Sequence, residues 1–163
     1  MRIPLWYKIG SVILSIVAYI LMIGAFLNII NVGAHPMIIF SFLVTLAVVI
    51  YATLSFKLTH IVNNQLSLKR KTKDWINVNA YVGLVFCVFM TLGCINFLSN
   101  PALVNTILET LPNKIADMPD VHFFKNILHT IVIVFLIYVL LLSIHIIAGL
   151  IFIRRYAKLS QTS

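Results

Sequence analysis

Four long apolar stretches constrain the fold of this chain more than any other feature of its sequence. They cover residues 5–30, 37–60, 75–98 and 127–153. Each exceeds the roughly 20 residues that a helix needs to cross a bilayer. Because hydrocarbon offers the backbone no hydrogen-bond partner, a spanning segment of this length is expected to be helical. The sequence therefore predicts an all-α, polytopic membrane protein, a four-transmembrane-helix bundle forming one membrane domain over residues 1–163.

The composition agrees with a chain that has lipid as its main solvent. Of the 163 residues, 61% are hydrophobic and only 10% are charged, whereas soluble domains have about 25% charged residues. Four spans leave no room for a separate soluble domain. The first apolar run contains no small-residue cleavage site, so we interpret it as a retained span and not as a signal peptide.

The distribution of basic residues predicts the orientation of the chain. Ten of the twelve lysines and arginines lie near the two termini or around the basic loop at residues 61–74. Positive charge is retained on the cytoplasmic side, so we expect both termini in the cytoplasm, and we expect the membrane to be a bacterial inner membrane. Topology thus accounts for the net charge of +8, and no nucleic-acid partner is expected.

Two segments are predicted to lie at the membrane interfaces. Trp6 and Tyr7 open the first span, where aromatic side chains form interfacial belts. The outer loop, residues 99–126, places Leu103, Ile107 and Leu111 at i, i+4 and i+8. That spacing predicts a short amphipathic helix at the outer interface.

His145 is the one imidazole or formally charged group well inside an apolar run, and such residues are functional candidates. One interpretation makes it a structural group, in which a neutral imidazole hydrogen-bonds a hydroxyl or a carbonyl of a neighbouring helix beside Ala148 and Gly149. The other makes it an axial ligand of a b-type haem, which two histidines on facing helices can hold.

Helix geometry limits the haem interpretation. His129 and His145 are 16 residues apart, or about 24 Å of rise and about 160° of rotation, so they cannot share one cofactor. His60 is the candidate partner of His145, although it lies nearer the cytoplasmic interface. On the outer side His35 and His129 could meet, again without a close match in depth.

A second candidate site is an outward-facing polar pocket. The fourth span carries three polar residues at i, i+3 and i+7, and asparagines end the first and third spans at a similar level; the pocket would comprise His122, Lys125, His129, Asn28 and Asn96. It could hold a metal, a lipid head group or a loop of a partner. The alternative is that these groups are hydrated and cap helix ends.

The sequence offers no resident metal site that we would predict. Cys87, Met90 and Cys94 share one helix face, but the two cysteine-bearing turns are about 10.5 Å apart, too far to hold one copper ion between them. Core packing accounts for these residues better.

The sequence lacks the residues and motifs of several enzyme classes, which favours a non-catalytic function. None of the four carboxylates lies in an apolar run, and no Gly-x-Ser-x-Gly or nucleotide-binding glycine motif is present, so an enzyme is the less favoured class. The leading hypothesis is an accessory, assembly or interaction protein that acts through helix and lipid contacts, with membrane lipids and a membrane-protein partner or a second copy as its partners. The alternatives are a haem-binding or other cofactor-binding redox protein and a small transporter or channel.

Overall fold

Four long helices make up most of the computed structural model, which describes residues 3–32, 36–64, 70–103 and 121–159. In chain order they are α1 (Leu5–Val32), α2 (Pro36–Asn63), α3 (Arg70–Ser99) and α4 (Val121–Leu159). Each contains one predicted apolar run and extends beyond it at both ends or at one. All four are long and apolar enough to cross a membrane, which confirms the prediction of an all-helical integral membrane protein.

Proline and asparagine mark two of the helix ends. The carbonyl of Pro4 accepts hydrogen bonds from the backbone N–H groups of Tyr7 and Lys8, at 3.2 and 3.4 Å, so the first turn of α1 closes onto the residue before it. After α3, the Oδ1 atom of Asn100 accepts a bond from the N–H of Ala102 at 3.2 Å. Pro101 has no N–H to continue α3, and residues 101–103 begin a new helical turn in which the N–H of Leu103 donates to the carbonyl of Asn100 at 3.1 Å.

The helices pack as two compact units. The first unit comprises Met1–Phe86 and Leu142–Ser163, and the second comprises Cys87–Leu141. In the first, α1 and α2 pack against each other as an antiparallel hairpin, joined by the start of α3 and the end of α4. Fully buried side chains come from all four of these segments, among them Ala18, Leu58, Ile76, Ala80, Leu142 and Ile146. In the second, Cys87 and Cys94 are buried on α3, as are Tyr138 and Val139 on α4.

Three threonine hydroxyls of α2 are satisfied by the backbone of their own helix. Thr45, Thr53 and Thr59 each donate to the carbonyl four residues earlier, at 2.8 to 2.9 Å. This back-bonding lets a polar side chain sit in an apolar medium without an unpaired group. Polar residues inside the spans therefore do not by themselves mark a water-filled path.

Of the two aromatic residues predicted to lie at the membrane interface, one is exposed and the other is buried. Trp6 is 54% exposed, as expected for an interfacial belt, but Tyr7 is 0% exposed, so its assignment to the belt was wrong. Successive residues of a helix are turned by about 100°, which directs Tyr7 inward when Trp6 faces outward. The predicted amphipathic helix over residues 103–111 lies outside the described residues, apart from Leu103.

Candidate functional site

Five polar side chains meet inside the first unit and form what we call the polar cluster. Two come from α1 (Tyr7 and Ser11), two from α2 (Tyr51 and Ser55) and one from α4 (His145). On both α1 and α2 the pair is spaced i, i+4, which places both members on one helix face. Each of the two helices thus carries a polar face one turn long. In the folded chain one residue of each face, Ser11 or Tyr51, contacts the imidazole of His145.

Hydrogen bonds connect the cluster across all three helices. The Nε2 atom of His145 lies 2.9 Å from the Oγ of Ser11, and its Nδ1 atom lies 3.2 Å from the hydroxyl of Tyr51. Ser55 Oγ lies 3.0 Å from Ser11 Oγ and 3.1 Å from the hydroxyl of Tyr7. Each of the five side chains therefore bonds a side chain of another helix.

One arrangement of protons uses every hydroxyl and imidazole hydrogen of the cluster once. Ser11 donates to the carbonyl of Tyr7 at 2.9 Å and accepts from Nε2–H of His145 and from Ser55. Ser55 accepts from Tyr7, and Nδ1 of His145 accepts from Tyr51. A neutral imidazole supplies the one donor and one acceptor that this requires. The cluster is therefore a closed network with its hydrogen-bonding capacity met internally.

Aromatic packing fixes the imidazole in place. The ring of Tyr7 stacks on that of His145 with centroids 4.1 Å apart and planes 10° apart. Tyr51 meets His145 edge-on at 6.0 Å, and Phe152 meets Tyr7 edge-on at 5.1 Å. Offset stacks and edge-on pairs of this kind add roughly 0.5–1.5 kcal/mol beyond buried area.

Two glycines make the close approach possible. A Cβ on Gly149 would lie 2.6 Å from the hydroxyl oxygen of Tyr7 and 2.8 Å from that of Tyr51, so the tyrosine side chains would have to shift to accommodate it. A Cβ on Gly10 would lie 3.3 Å from Cδ2 of His145. Small residues let helices and buried side chains approach closely within membranes, and Gly149 performs that role here.

The connectivity at His145 resembles that of a nucleophile, a base and an orienting group. Ser11 is within hydrogen-bonding distance of one ring nitrogen and Tyr51 of the other, as in serine nucleophile sites. However, Ser11 is 1% exposed and His145 4%, so a substrate carbonyl has no approach to the hydroxyl. As folded, the cluster joins three helices and does not present a reactive group.

The predicted haem pair, His145 and His60, is not brought into ligand geometry. Both ring nitrogens of His145 face hydroxyl groups, and His60 is exposed on α2, with Asn64 Nδ2 3.2 Å from its ring nitrogens. Haem binding stays a prediction, which an absorption spectrum with or without a Soret band decides.

The predicted outer pocket is described only in parts. Asn28 is in the first unit, where it lines a small pocket with Ala25, Ile38 and Ser41. In the second unit the ring of His129 lies 6.0 Å from that of Phe97, and Lys125 and Asn96 are on α4 and α3 respectively. The side chain of His122 lies outside the described residues, so the pocket as a set stays a prediction.

The described residues do not bring potential metal ligands together. Among the residues placed there, no group of three or more His, Cys, Asp or Glu side chains is close enough together to hold an ion. Cys87 and Cys94 are both buried, and they form no disulfide.

Sequence reasoning found His145 but missed its partners. The sequence pattern places Tyr7 at the interface, and it does not single out Tyr51 as a candidate site residue. The available signal was the repeated pair, Tyr7 with Ser11 and Tyr51 with Ser55, each an aromatic hydroxyl four residues before a serine in an apolar run.

Comparison with protein-family models, with curated proteins and with solved structures finds no match to this chain. The function is therefore inferred from the polar cluster and from the surfaces of the helices.

Proposed function

We propose that this protein is a non-catalytic integral membrane protein that works by contact, as an accessory or assembly subunit or as a lipid-facing stabiliser. The observation that carries the proposal is the closed polar cluster. His145, the group best suited to chemistry inside the membrane, has both ring nitrogens engaged within the fold. A side chain used in this way stabilises a scaffold and leaves the outer surface to carry the function.

The outward faces of the helices are suited to contact with lipids and with other spans. Large apolar side chains of α1 remain about half to two-thirds exposed in a row of i, i+3 and i+4 steps: Ile9, Ile13, Ile16, Ile20, Ile23, Leu27 and Ile30. On α4, Val134 and Ile144 are each 60% exposed. Hydrocarbon tails or a partner's spans cover such faces in a membrane, and the partner is another membrane protein or a second copy of this chain.

The proposed placement follows the basic residues. The basic loop and both termini face the cytoplasm, in a bacterial inner membrane, and the segment 103–111 lies as a short amphipathic helix on the outer surface. The support is the bias of lysine and arginine described above. Because this placement accounts for the positive charge of the chain, the proposed function involves no nucleic-acid partner.

A small transporter or channel is the second candidate, because the cluster is a continuous chain of exchangeable protons. Chains of this kind serve as proton relays in membrane pumps. Here the chain closes on itself at Ser11, whose oxygen accepts from two donors. A relay requires an opened form of the cluster in which one end reaches water.

Native mass spectrometry of the protein, extracted from its own membrane in mild detergent, tests the proposal. We expect the chain to retain a second protein or to form an oligomer, with bound lipid. A bare monomer free of lipid and protein contradicts the contact role. In parallel, proton flux into liposomes is compared for the wild type and His145→Ala. A flux that is present and disappears in the variant favours the transporter, whereas equal background rates favour the contact role.

A further inference from the structure

An open groove runs along the outer seam between α1 and α2. Its first part, which we call the head end, has a volume of about 310 Å³ and is lined by Lys8, His60 and Asn63 together with Val12 and Phe56. All of these residues belong to the first unit, and the groove lies on the side of the hairpin from which Val12 and Phe56 project.

A second part continues the groove deeper into the span. This part, which we call the acyl end, has a volume of about 320 Å³ and shares Val12 and Phe56 with the head end. Its floor is a hydrogen bond of 2.9 Å between the hydroxyls of Tyr19 and Thr53. From Lys8 to Tyr19 the groove extends over about 16 Å of helix, roughly half the 30 Å thickness of a bilayer core.

Polarity changes along the groove in the order found in a phospholipid. Lys8, His60 and Asn63 offer a positive charge and hydrogen-bond donors at the helix ends, and Val12, Phe56 and Ile16 offer apolar walls below them. Within the described ranges the one acidic residue is Asp74, which is on α3 and not on the hairpin. The head end is therefore complementary to negative charge.

We propose that this seam groove binds one molecule of an anionic phospholipid, with its phosphate at Lys8, His60 and Asn63 and one acyl chain along Val12 and Phe56. The site deepens the lipid contact of the proposed function and rests on it for the membrane location. It does not require a protein partner, so the two ideas fail separately. The assignment also gives His60 a role other than cofactor ligation.

Lipid selectivity tests the head end. Lipid adducts of the delipidated protein are titrated by native mass spectrometry with phosphatidylglycerol and with phosphatidylcholine of the same acyl chains. We expect the first adduct to form more tightly with phosphatidylglycerol, and Lys8→Gln to weaken that adduct about five-fold, since one cation near an anionic head group contributes about 1 kcal/mol. Lys71→Gln, which removes an exposed lysine of α3 that does not line the groove, serves as the control and leaves it unchanged. Equal affinity for both lipids, or equal effects of the two variants, overturns the proposal.

Filling the groove with a large side chain tests lipid binding at the acyl end, independently of charge. Val12 is 43% exposed, so Val12→Trp places an indole in the groove without displacing core side chains. We expect loss of the first phosphatidylglycerol adduct. Ile13→Trp is the matched control, because Ile13 is 55% exposed on the same helix but is turned away by about 100°. If both tryptophans act alike, or neither affects the adduct, the lipid does not occupy this seam.

Discussion

The surroundings of His145 show how a single polar residue is accommodated inside a span. Its hydrogen-bonding partners, Ser11 and Tyr51, are 134 and 94 residues away along the chain, so the imidazole is satisfied by tertiary structure and not by its own helix. A buried donor or acceptor that loses its partner costs about 1–3 kcal/mol. The histidine therefore makes the pairing of α4 with α1 and α2 specific.

Removing single hydroxyls tests whether the cluster stabilises the fold. We expect Tyr7→Phe and Tyr51→Phe each to lower the free energy of unfolding by about 1–3 kcal/mol, because each leaves a buried hydrogen-bond partner unpaired. Reversible unfolding in mixed micelles measures the change.

Tyr138 provides the matched control for this series. In the described part of the chain its hydroxyl is buried without a hydrogen-bond partner, and deleting such a group is neutral or stabilising. We expect Tyr138→Phe to leave stability unchanged or to raise it. A Tyr138→Phe protein as unstable as Tyr51→Phe would mean that the hydrogen bonds are not the cause.

At the scale of the helices, Gly149 sets how closely α4 approaches α1 and α2. We expect Gly149→Ala to destabilise the protein by about 1–3 kcal/mol, the usual cost of overpacking, because the new methyl group meets both tyrosine hydroxyls. Thermal unfolding in detergent, followed by circular dichroism, measures the loss.

Gly24 is the control for the glycine substitution. A Cβ there would meet nothing within 4 Å, and alanine favours a helix over glycine by about 1 kcal/mol. Gly24→Ala should thus be neutral or stabilising. Equal losses for the two alanine variants would point to a general intolerance of substitution and not to the crowding at Gly149.

The helices were predictable from sequence, but their interior faces were not. Apolar runs longer than a bilayer requires could hardly form anything else, and each run lies within one helix. Lipid tails, however, are as apolar as leucine, so hydrophobicity does not distinguish a buried face from an exposed one. Tyr7 and Trp6 illustrate this limit, since adjacent aromatic residues near an interface proved to be buried and exposed respectively.

For the molecule as a whole, the basic residues predict a topology with both termini and the loop at residues 61–74 on the cytoplasmic side. Single cysteines introduced at Lys71 and Lys158, in a background with Cys87 and Cys94 replaced by alanine, should react with impermeant maleimide only after the cytoplasmic side is opened. A cysteine at Lys114 should react in intact cells. Labelling of the Lys71 and Lys158 positions from opposite sides would contradict the four-span map.

The separation of the cluster along the chain has a consequence for biogenesis. Ser11, Tyr51 and Ser55 leave the ribosome long before His145, and the bonds of Ser55 to Tyr7 and Ser11 can already join the first two helices. A nascent chain that stops before α4 therefore lacks the imidazole that bonds Ser11 and Tyr51 in the complete fold.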